Sequence, residues 1–255
     1  MRNKTARLLN IFFLAISLSA CSDGGGDNPA PPATASATSA EGLWNGTTNS
    51  GRSVAGLVLS DGTYWFLYTL MGNPSVVAGM VQGNSSSQNG SITSSNTKDF
   101  NLEGLGVLNA SITGNYIMKQ SLNGTIVIAN NGGQSTFTTT YDSDYDMAPN
   151  ATLLAGTYTG STATNGGVET VTVTVSATGS ISGSSLGGCA FTGSFAPRTS
   201  GNAYDVSVTF SGGVCSNGTN TVNGVAFFDV ATKKLYSAAL NSTRTNGFIF
   251  IGTKP

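Results

Sequence analysis

Ser53-Val54-Ala55-Gly56-Leu57-Val58-Leu59-Ser60-Asp61-Gly62-Thr63-Tyr64-Trp65-Phe66-Leu67-Tyr68 is a pair of apolar runs separated by a turn signal. Asp-Gly between such runs marks a two-residue hairpin, because both central residues of that turn must tolerate positive φ. The register this turn sets places Leu57 opposite Phe66 and Leu59 opposite Tyr64 on one face, with Val58 and Trp65 on the other. An antiparallel pair with one wet side alternates apolar and polar residues. Here both faces are apolar, and two readings follow. Either one face lines an interior and the other is covered by a partner domain, or the aromatic side chains form an exposed patch that binds something. On the second reading Trp44, Tyr64, Trp65, Phe66 and Tyr68 are the candidate ligand or partner surface.

Similar runs recur along the chain. Val76 to Val81, Ile112 to Lys119, Gly124 to Ala129 and Ser135 to Tyr141 read as strands, the last two joined by the turn Asn130-Asn131-Gly132-Gly133. Farther on, Val171, Val173 and Val175 alternate with Thr170, Thr172 and Thr174, and Val206, Val208 and Phe210 repeat the pattern. Val222 to Phe228, Leu235 to Leu240 and Gly247 to Gly252 complete the set. Strands this short and this frequent, with no helix-length 3.6 periodicity, predict an all-β protein.

Gly42-Leu43-Trp44-Asn45-Gly46-Thr47 and Gly156-Thr157-Tyr158-Thr159-Gly160-Ser161 form an internal repeat at a spacing of 114 residues. Each block opens about 100 residues of strands, which predicts two sequential antiparallel up-and-down β-barrels of about eight strands each. The first spans residues 41–141 and the second 155–255, with a linker at 142–154. Two β-sandwiches, or one large β domain, are the alternatives. Gly42-Leu43-Trp44 also resembles the Gly-x-Trp that opens the first strand of lipocalins and related calycin barrels. The resemblance implies barrel geometry. The arginine that partners this tryptophan from the last strand of such barrels has no counterpart in Thr136 to Tyr141.

The N-terminus sets the address. Arg2, Lys4 and Arg7 precede an apolar run from Leu8 to Leu18, the layout of a secretory signal over residues 1–20. The run is about half the ~20 residues that cross a bilayer as a helix. Leu18-Ser19-Ala20-Cys21 resembles the lipobox of bacterial lipoproteins. That resemblance implies an acylated Cys21 as the first mature residue, with its palmitate-type chains as the membrane anchor. Ser22 follows rather than Asp, which in many Gram-negative lipoproteins implies the outer membrane. The Gly-, Pro- and Ser/Thr/Ala-rich stretch up to residue 40 has nothing to bury and reads as a disordered tether. Two barrels on such a tether resemble, in architecture, the host-protein-binding surface lipoproteins of Gram-negative pathogens.

Composition narrows the function. Only 9% of the 255 residues are charged, and removing residues 1–20 leaves eight basic against twelve acidic residues, a net charge of −4. Without basic clusters there is no electrostatic footprint for nucleic acid. The sequence contains no histidine, so the commonest general base and metal ligand is missing. Cys189 and Cys215 flank a hairpin read over Ala190 to Ala196 and Tyr204 to Ser211, and so face each other at its open end. With Cys21 acylated they form one disulfide in an oxidising compartment. Asp142-Ser143-Asp144-Tyr145-Asp146 begins like an EF-hand loop, but Met147 and Leu153 stand where the glycine and the bidentate glutamate belong. It reads as a solvated linker. No catalytic residue, metal ligand or cofactor is expected. The leading expectation is a non-catalytic binding or surface-interaction module anchored in a Gram-negative envelope, its protein or small-ligand partner unnamed. The alternatives are a structural or assembly lipoprotein and a carrier of a small apolar ligand inside a barrel.

Overall fold

Strict alternation of inward apolar and outward hydroxyl-bearing residues decides the architecture, and Thr170 to Val175 shows it most plainly. Val171, Val173 and Val175 are buried, while Thr170, Thr172 and Thr174 face solvent. The computed structural model describes residues 39–255. The segment 1–20 read as a signal, Cys21, and the stretch read as a tether, apart from its last two residues 39–40, lie outside the described residues; Ala40, expected in the tether, is buried.

The first sheet contains β1 (Gly42–Thr48), β2 (Ser53–Val58), β3 (Thr63–Leu70), β4 (Asn73–Asn84), β5 (Ser86–Gln88), β6 (Ser91–Asn101), β7 (Gly106–Ile117), β8 (Ser121–Ile128) and β9 (Gln134–Asp142). Neighbours in sequence pair antiparallel except β4 and β5, β1 also pairs with β9, and β4 pairs with β6. The sheet is thereby closed into a barrel of eight strands, and the three-residue β5 pairs only with β6. A 3-10 turn (Ser143–Asp146) and the one-turn helix α1 (Ala151–Leu154) lead to the second sheet. It comprises β10 (Gly156–Thr164), β11 (Gly167–Val175), β12 (Ser180–Ser185), β13 (Ala190–Pro197), β14 (Tyr204–Phe210), β15 (Thr221–Asp229), β16 (Lys234–Leu240) and β17 (Gly247–Thr253). Each pairs with the next, and β10 pairs with β17. The protein is all-β, with two closed eight-stranded antiparallel barrels in sequence.

The opening hairpin differs in detail from the expected one. Its turn holds three residues, Ser60 to Gly62: the Gly62 N–H donates to the Leu59 carbonyl and the Leu59 N–H to the Thr63 carbonyl. Asp61 keeps a negative φ and accepts the Thr63 N–H at 2.8 Å, and only Gly62 takes a positive φ, of 82°. A turn with a single left-handed glycine adds a residue to the connection, so the register slips by one. Leu57 pairs with Trp65, Val58 with Tyr64 and Gly56 with Phe66. A slip of one exchanges faces: Val54, Val58, Tyr64, Phe66 and Tyr68 point into the barrel, and Leu57, Trp65 and Leu67 point out of it.

The outward face is covered. Leu43, Leu57, Leu59, Trp65, Met80 and Phe100 of the first barrel pack with Ala163, Val225, Ala238, Leu240 and Ile249 of the second. Two arginines of the second barrel frame this contact. Arg244 donates to the Asn96 carbonyl at 2.8 Å and to the Gln82 carbonyl at 2.7 Å. Arg198 bridges Asp61 at 2.9 Å. The exposed outer surface of the second barrel carries many hydroxyls and few charges. Thr157, Thr174, Ser182, Thr192, Thr209 and Thr221 lie in one unbroken row across six strands. Cross-strand hydroxyl pairs of this kind stabilise a sheet modestly.

The two glycine-aromatic blocks take the same place in their barrels. Trp44 in β1 and Tyr158 in β10 are fully buried, and each donates to a carbonyl four residues earlier, Ala40 and Leu154 respectively. Cys189 and Cys215 are bonded, with Cα atoms 4.7 Å apart, across the open end of the β13–β14 hairpin. The pair closes a loop with a sequence separation of 26, for which loop-closure entropy gives a stabilisation of about 3–4 kcal/mol. Cys189→Ala with Cys215→Ala should lower the unfolding free energy in urea by about that amount. A loss under about 1 kcal/mol would mean that the hairpin is held by its ladder alone.

Candidate functional site

The five aromatic residues singled out above do not form one patch. Trp44, Tyr64 and Trp65 are 0%, 1% and 7% exposed. Trp44 closes one end of the first barrel, Tyr64 crosses its interior, and Trp65 lies in the contact between barrels. Phe66 and Tyr68 are brought together, and they line a cavity of about 260 Å³ inside the first barrel. An eight-stranded barrel has an interior just wide enough to be filled by side chains or to hold one small ligand. The second barrel follows the first course. Its interior packs Phe195, Phe210, Phe248 and Phe250 with a set of valines, leaving about 60 Å³.

The cavity lies at the end of the first barrel away from Trp44, beside the β1–β2, β6–β7 and β8–β9 turns. Val54, Phe66, Val81, Ile112, Ile126 and Phe137 provide apolar walls, and Ile128 stands next to the β8–β9 turn. Polar groups gather on one side. Tyr68 Oη donates to Asp99 Oδ1 at 2.8 Å, and Asn101 Nδ2 reaches Tyr68 Oη at 3.4 Å. The Arg52 guanidinium lies 5.6 Å from the centre of the Tyr68 ring, donates to the Thr69 carbonyl at 3.0 Å, and pairs with Glu103 at 2.9 Å. Asn101 Oδ1 accepts the Glu103 and Leu105 N–H groups, which fixes the β6–β7 turn that carries Glu103. Apolar walls with a few convergent polar groups are the usual composition of a small-molecule site.

Local sequence explains how Tyr68 reaches Asp99. Tyr68 pairs with Gly79 in β4, and Gly79 pairs with Asn101 in β6. A side chain at position 79 would meet Tyr68 Oη at 2.2 Å, so only glycine lets the ring lie across β4. Tyr64 repeats the arrangement over Gly83 and bonds Ser94 at 2.9 Å and Thr97 at 2.6 Å. Asp99, Arg52, Asn101 and Glu103 are residues that the sequence reading did not single out. β6 was not read as a strand, because after Ile92 its inward positions Ser94, Thr97, Asp99 and Asn101 are polar and carry no apolar alternation. The signal available was the pair of tyrosines at positions 64 and 68, whose buried hydroxyls need partners.

The linker acids do not converge. Asp142 accepts from Asn45 and caps the 3-10 turn through the Asp144 N–H, while Asp146 pairs with Lys119 and accepts from Tyr141. No protein-family model matches the chain, and no curated protein matches it. Among solved structures it is similar to a candidate outer membrane protein of Bacteroides fragilis NCTC 9343, at 14% identity over 84% of this chain and 96% of that one, with a TM-score of 0.26. It is also similar to the vaccine antigen transferrin binding protein B of Haemophilus parasuis Hp5, at 10% identity over 80% of this chain and 60% of that one, with a TM-score of 0.29.

Burial pushes the Asp99 carboxyl up from its ordinary value near 3.8 to about 6, against the opposing effects of the Tyr68 hydrogen bond and the Arg52 charge. The native state therefore holds this proton more tightly than the unfolded chain does. The contribution to stability is fully present below about pH 4 and is lost as pH rises through 6, a difference of about 3 kcal/mol. Asp99→Asn, neutral at every pH, should remove that slope and leave the protein more stable than the parent at pH 7.5. Urea unfolding of both proteins between pH 4 and 8 checks this. Parallel profiles would show that Asp99 is solvated as an ordinary surface acid.

Proposed function

We propose that the chain is a lipid-anchored, non-catalytic binding protein of a Gram-negative cell envelope, with the cavity of the first barrel as its binding site. The observation that carries this reading is the contrast between two barrels of one architecture. Both interiors keep a cavity, about 60 Å³ in the second barrel and about 260 Å³, between apolar walls and a polar cluster, in the first. Well-packed interiors leave few voids larger than a water molecule, and the inward polar residues of β6 keep this one open. The lipobox resemblance and the signal read over residues 1–20 support attachment through Cys21, with the sequence from residue 22 to about 38 as tether, since Ala40 is already buried in the first barrel. Ser22 favours the outer membrane over the inner. A cavity just below the ~300 Å³ typical of drug-sized sites suits a small ligand.

A second reading, contact with another envelope protein, is favoured by one observation. Val168 at the start of β11 and Leu186 and Val214 on the turns beside it are 67%, 87% and 68% exposed at the disulfide-bonded end of the second barrel. Apolar side chains grouped in this way mark interaction surfaces more often than singly scattered ones do. The two readings concern opposite parts of the molecule and do not compete for residues.

The anchor and the cavity are tested separately. The parent protein should partition into the detergent phase of a cloud-point separation, and Cys21→Ala should not; equal partitioning would remove the anchor. With the full chain held in phosphatidylcholine vesicles, calorimetric titration with 1-hexanol should give saturable heat after subtraction of empty vesicles. Ile128→Trp, which fills the cavity beside the β8–β9 turn, should reduce that affinity at least tenfold while the thermal midpoint stays within a few degrees. Undiminished binding in the variant would move the ligand elsewhere.

A further inference from the structure

The polar side of the cavity is not balanced in charge. Arg52 is its one cation, and it is already engaged: Glu103 holds one nitrogen at 2.9 Å and the Thr69 carbonyl holds another at 3.0 Å. Asp99 is the more deeply buried acid, 8% exposed, and its recorded partner is a neutral hydroxyl, Tyr68 Oη. The groups that face it are Tyr68 from β3, Arg52 from the turn before β2 and Glu103 from the β6–β7 turn, while β4 and β7 present Val81 and Leu108 at the paired positions. With Arg52 matched by Glu103, the carboxylate of Asp99 is the surplus charge of the site. A buried charge without a paired counter-ion is costly in an apolar setting. The cavity wall that continues from it is aliphatic and aromatic.

We infer that the cavity takes an apolar amine, its ammonium group set against Asp99 and the Tyr68 hydroxyl and its hydrocarbon body against Val54, Phe66, Ile112 and Ile126. The inference rests on the reading of the first barrel as a binding module and adds the chemical class of its ligand. An ammonium group supplies the missing counter-charge and can donate to Asp99 without displacing Arg52 from Glu103. A carboxylate ligand would instead have to compete with Glu103 for Arg52 and approach the Asp99 charge. A neutral alcohol gains the apolar contact but leaves the carboxylate unpaired.

The test compares head groups on one hydrocarbon chain. The full chain in phosphatidylcholine vesicles is titrated at pH 7.5 with hexylammonium, 1-hexanol and hexanoate, with empty vesicles subtracted. Hexylammonium should bind at least tenfold more tightly than the other two. Its advantage should shrink as pH falls to 5 and Asp99 takes up a proton. Asp99→Asn should bring hexylammonium down to the affinity of hexanol, with hexanol itself unchanged. Glu103→Gln, which frees the Arg52 charge, should weaken hexylammonium and strengthen hexanoate, and serves as the second variant should Asp99→Asn fold poorly. Equal affinities for the three probes, or a preference that survives both substitutions, would overturn the amine while leaving the binding cavity in place. Saturable binding of none of them would overturn the binding reading itself.

Discussion

The closure of the first barrel depends on two tyrosines that lie across glycines. β4 and β6 are not joined by a simple hairpin, and they pair over four positions, Gly79 to Gln82 against Lys98 to Asn101. Tyr64 and Tyr68, both from β3, pass over Gly83 and Gly79 of β4 and bond to side chains of β6 on the far side of that seam. Each ring thus ties three strands together. A buried hydroxyl left without a partner costs about 1–3 kcal/mol, so the tyrosines require polar residues facing inward on β6. The polar lining of the cavity therefore belongs to the same arrangement that closes the barrel. Glycine in strand interiors is unfavourable by itself; here its missing side chain is the space that an aromatic ring from the next strand fills. Phe66 over Gly56 and Phe137 over Gly124 repeat the exchange.

The second barrel closes by sequential hairpins alone, and its buried polar side chains Asn217 and Ser237 stand among apolar neighbours. Its interior phenylalanines pack edge-on, Phe210 against Phe191 and Phe248, and its disulfide fixes one rim. It also provides the cover for the outer face of the β2–β3 hairpin. Trp65 and Leu57 would be exposed on a lone first barrel, and the Arg244 and Arg198 contacts hold the second barrel against them.

Much of this was legible in the sequence, and the exceptions share a cause. The valine-threonine alternation of β11 marks a strand buried on one face, and the cysteines at either end of the β13–β14 hairpin point to their bond. The two apolar faces of Ser53 to Tyr68 required a second cover, although a one-residue error in the turn assigned the wrong partners. That error arose because Asp-Gly permits both a two-residue turn and a three-residue turn with one left-handed glycine, and the sequence around it does not discriminate. β6 and β12 escaped for the reason that makes them informative. Each keeps one inward isoleucine, Ile92 or Ile181, but its other inward positions are polar or glycine, so the period-2 apolar signal on which strand recognition rests is broken. The cavity residues Asp99 and Asn101 lie on one of these strands, and Arg52 and Glu103 lie in turns. A site built of residues that break the local pattern is hidden from a reading of the pattern.

That relation has a physical basis. Local propensity, alternation and packing agree wherever a position serves only the fold, and they conflict where it serves something else. Position 97 illustrates the first case: the Thr97 hydroxyl is inward but fully used by Tyr64. Position 99 illustrates the second. A neutral hydrogen-bonding side chain there would serve Tyr68 as a partner without bringing a charge into an apolar interior, yet the chain carries an acid whose burial opposes its ionisation. The barrel could close without that charge, since Tyr64, Ser94 and Thr97 provide an uncharged version of the same bridge one turn of the pleat away. The fold therefore accounts for a polar residue at position 99 but not for an acidic one, and the amine proposed for the cavity would supply the counter-charge that the fold leaves out.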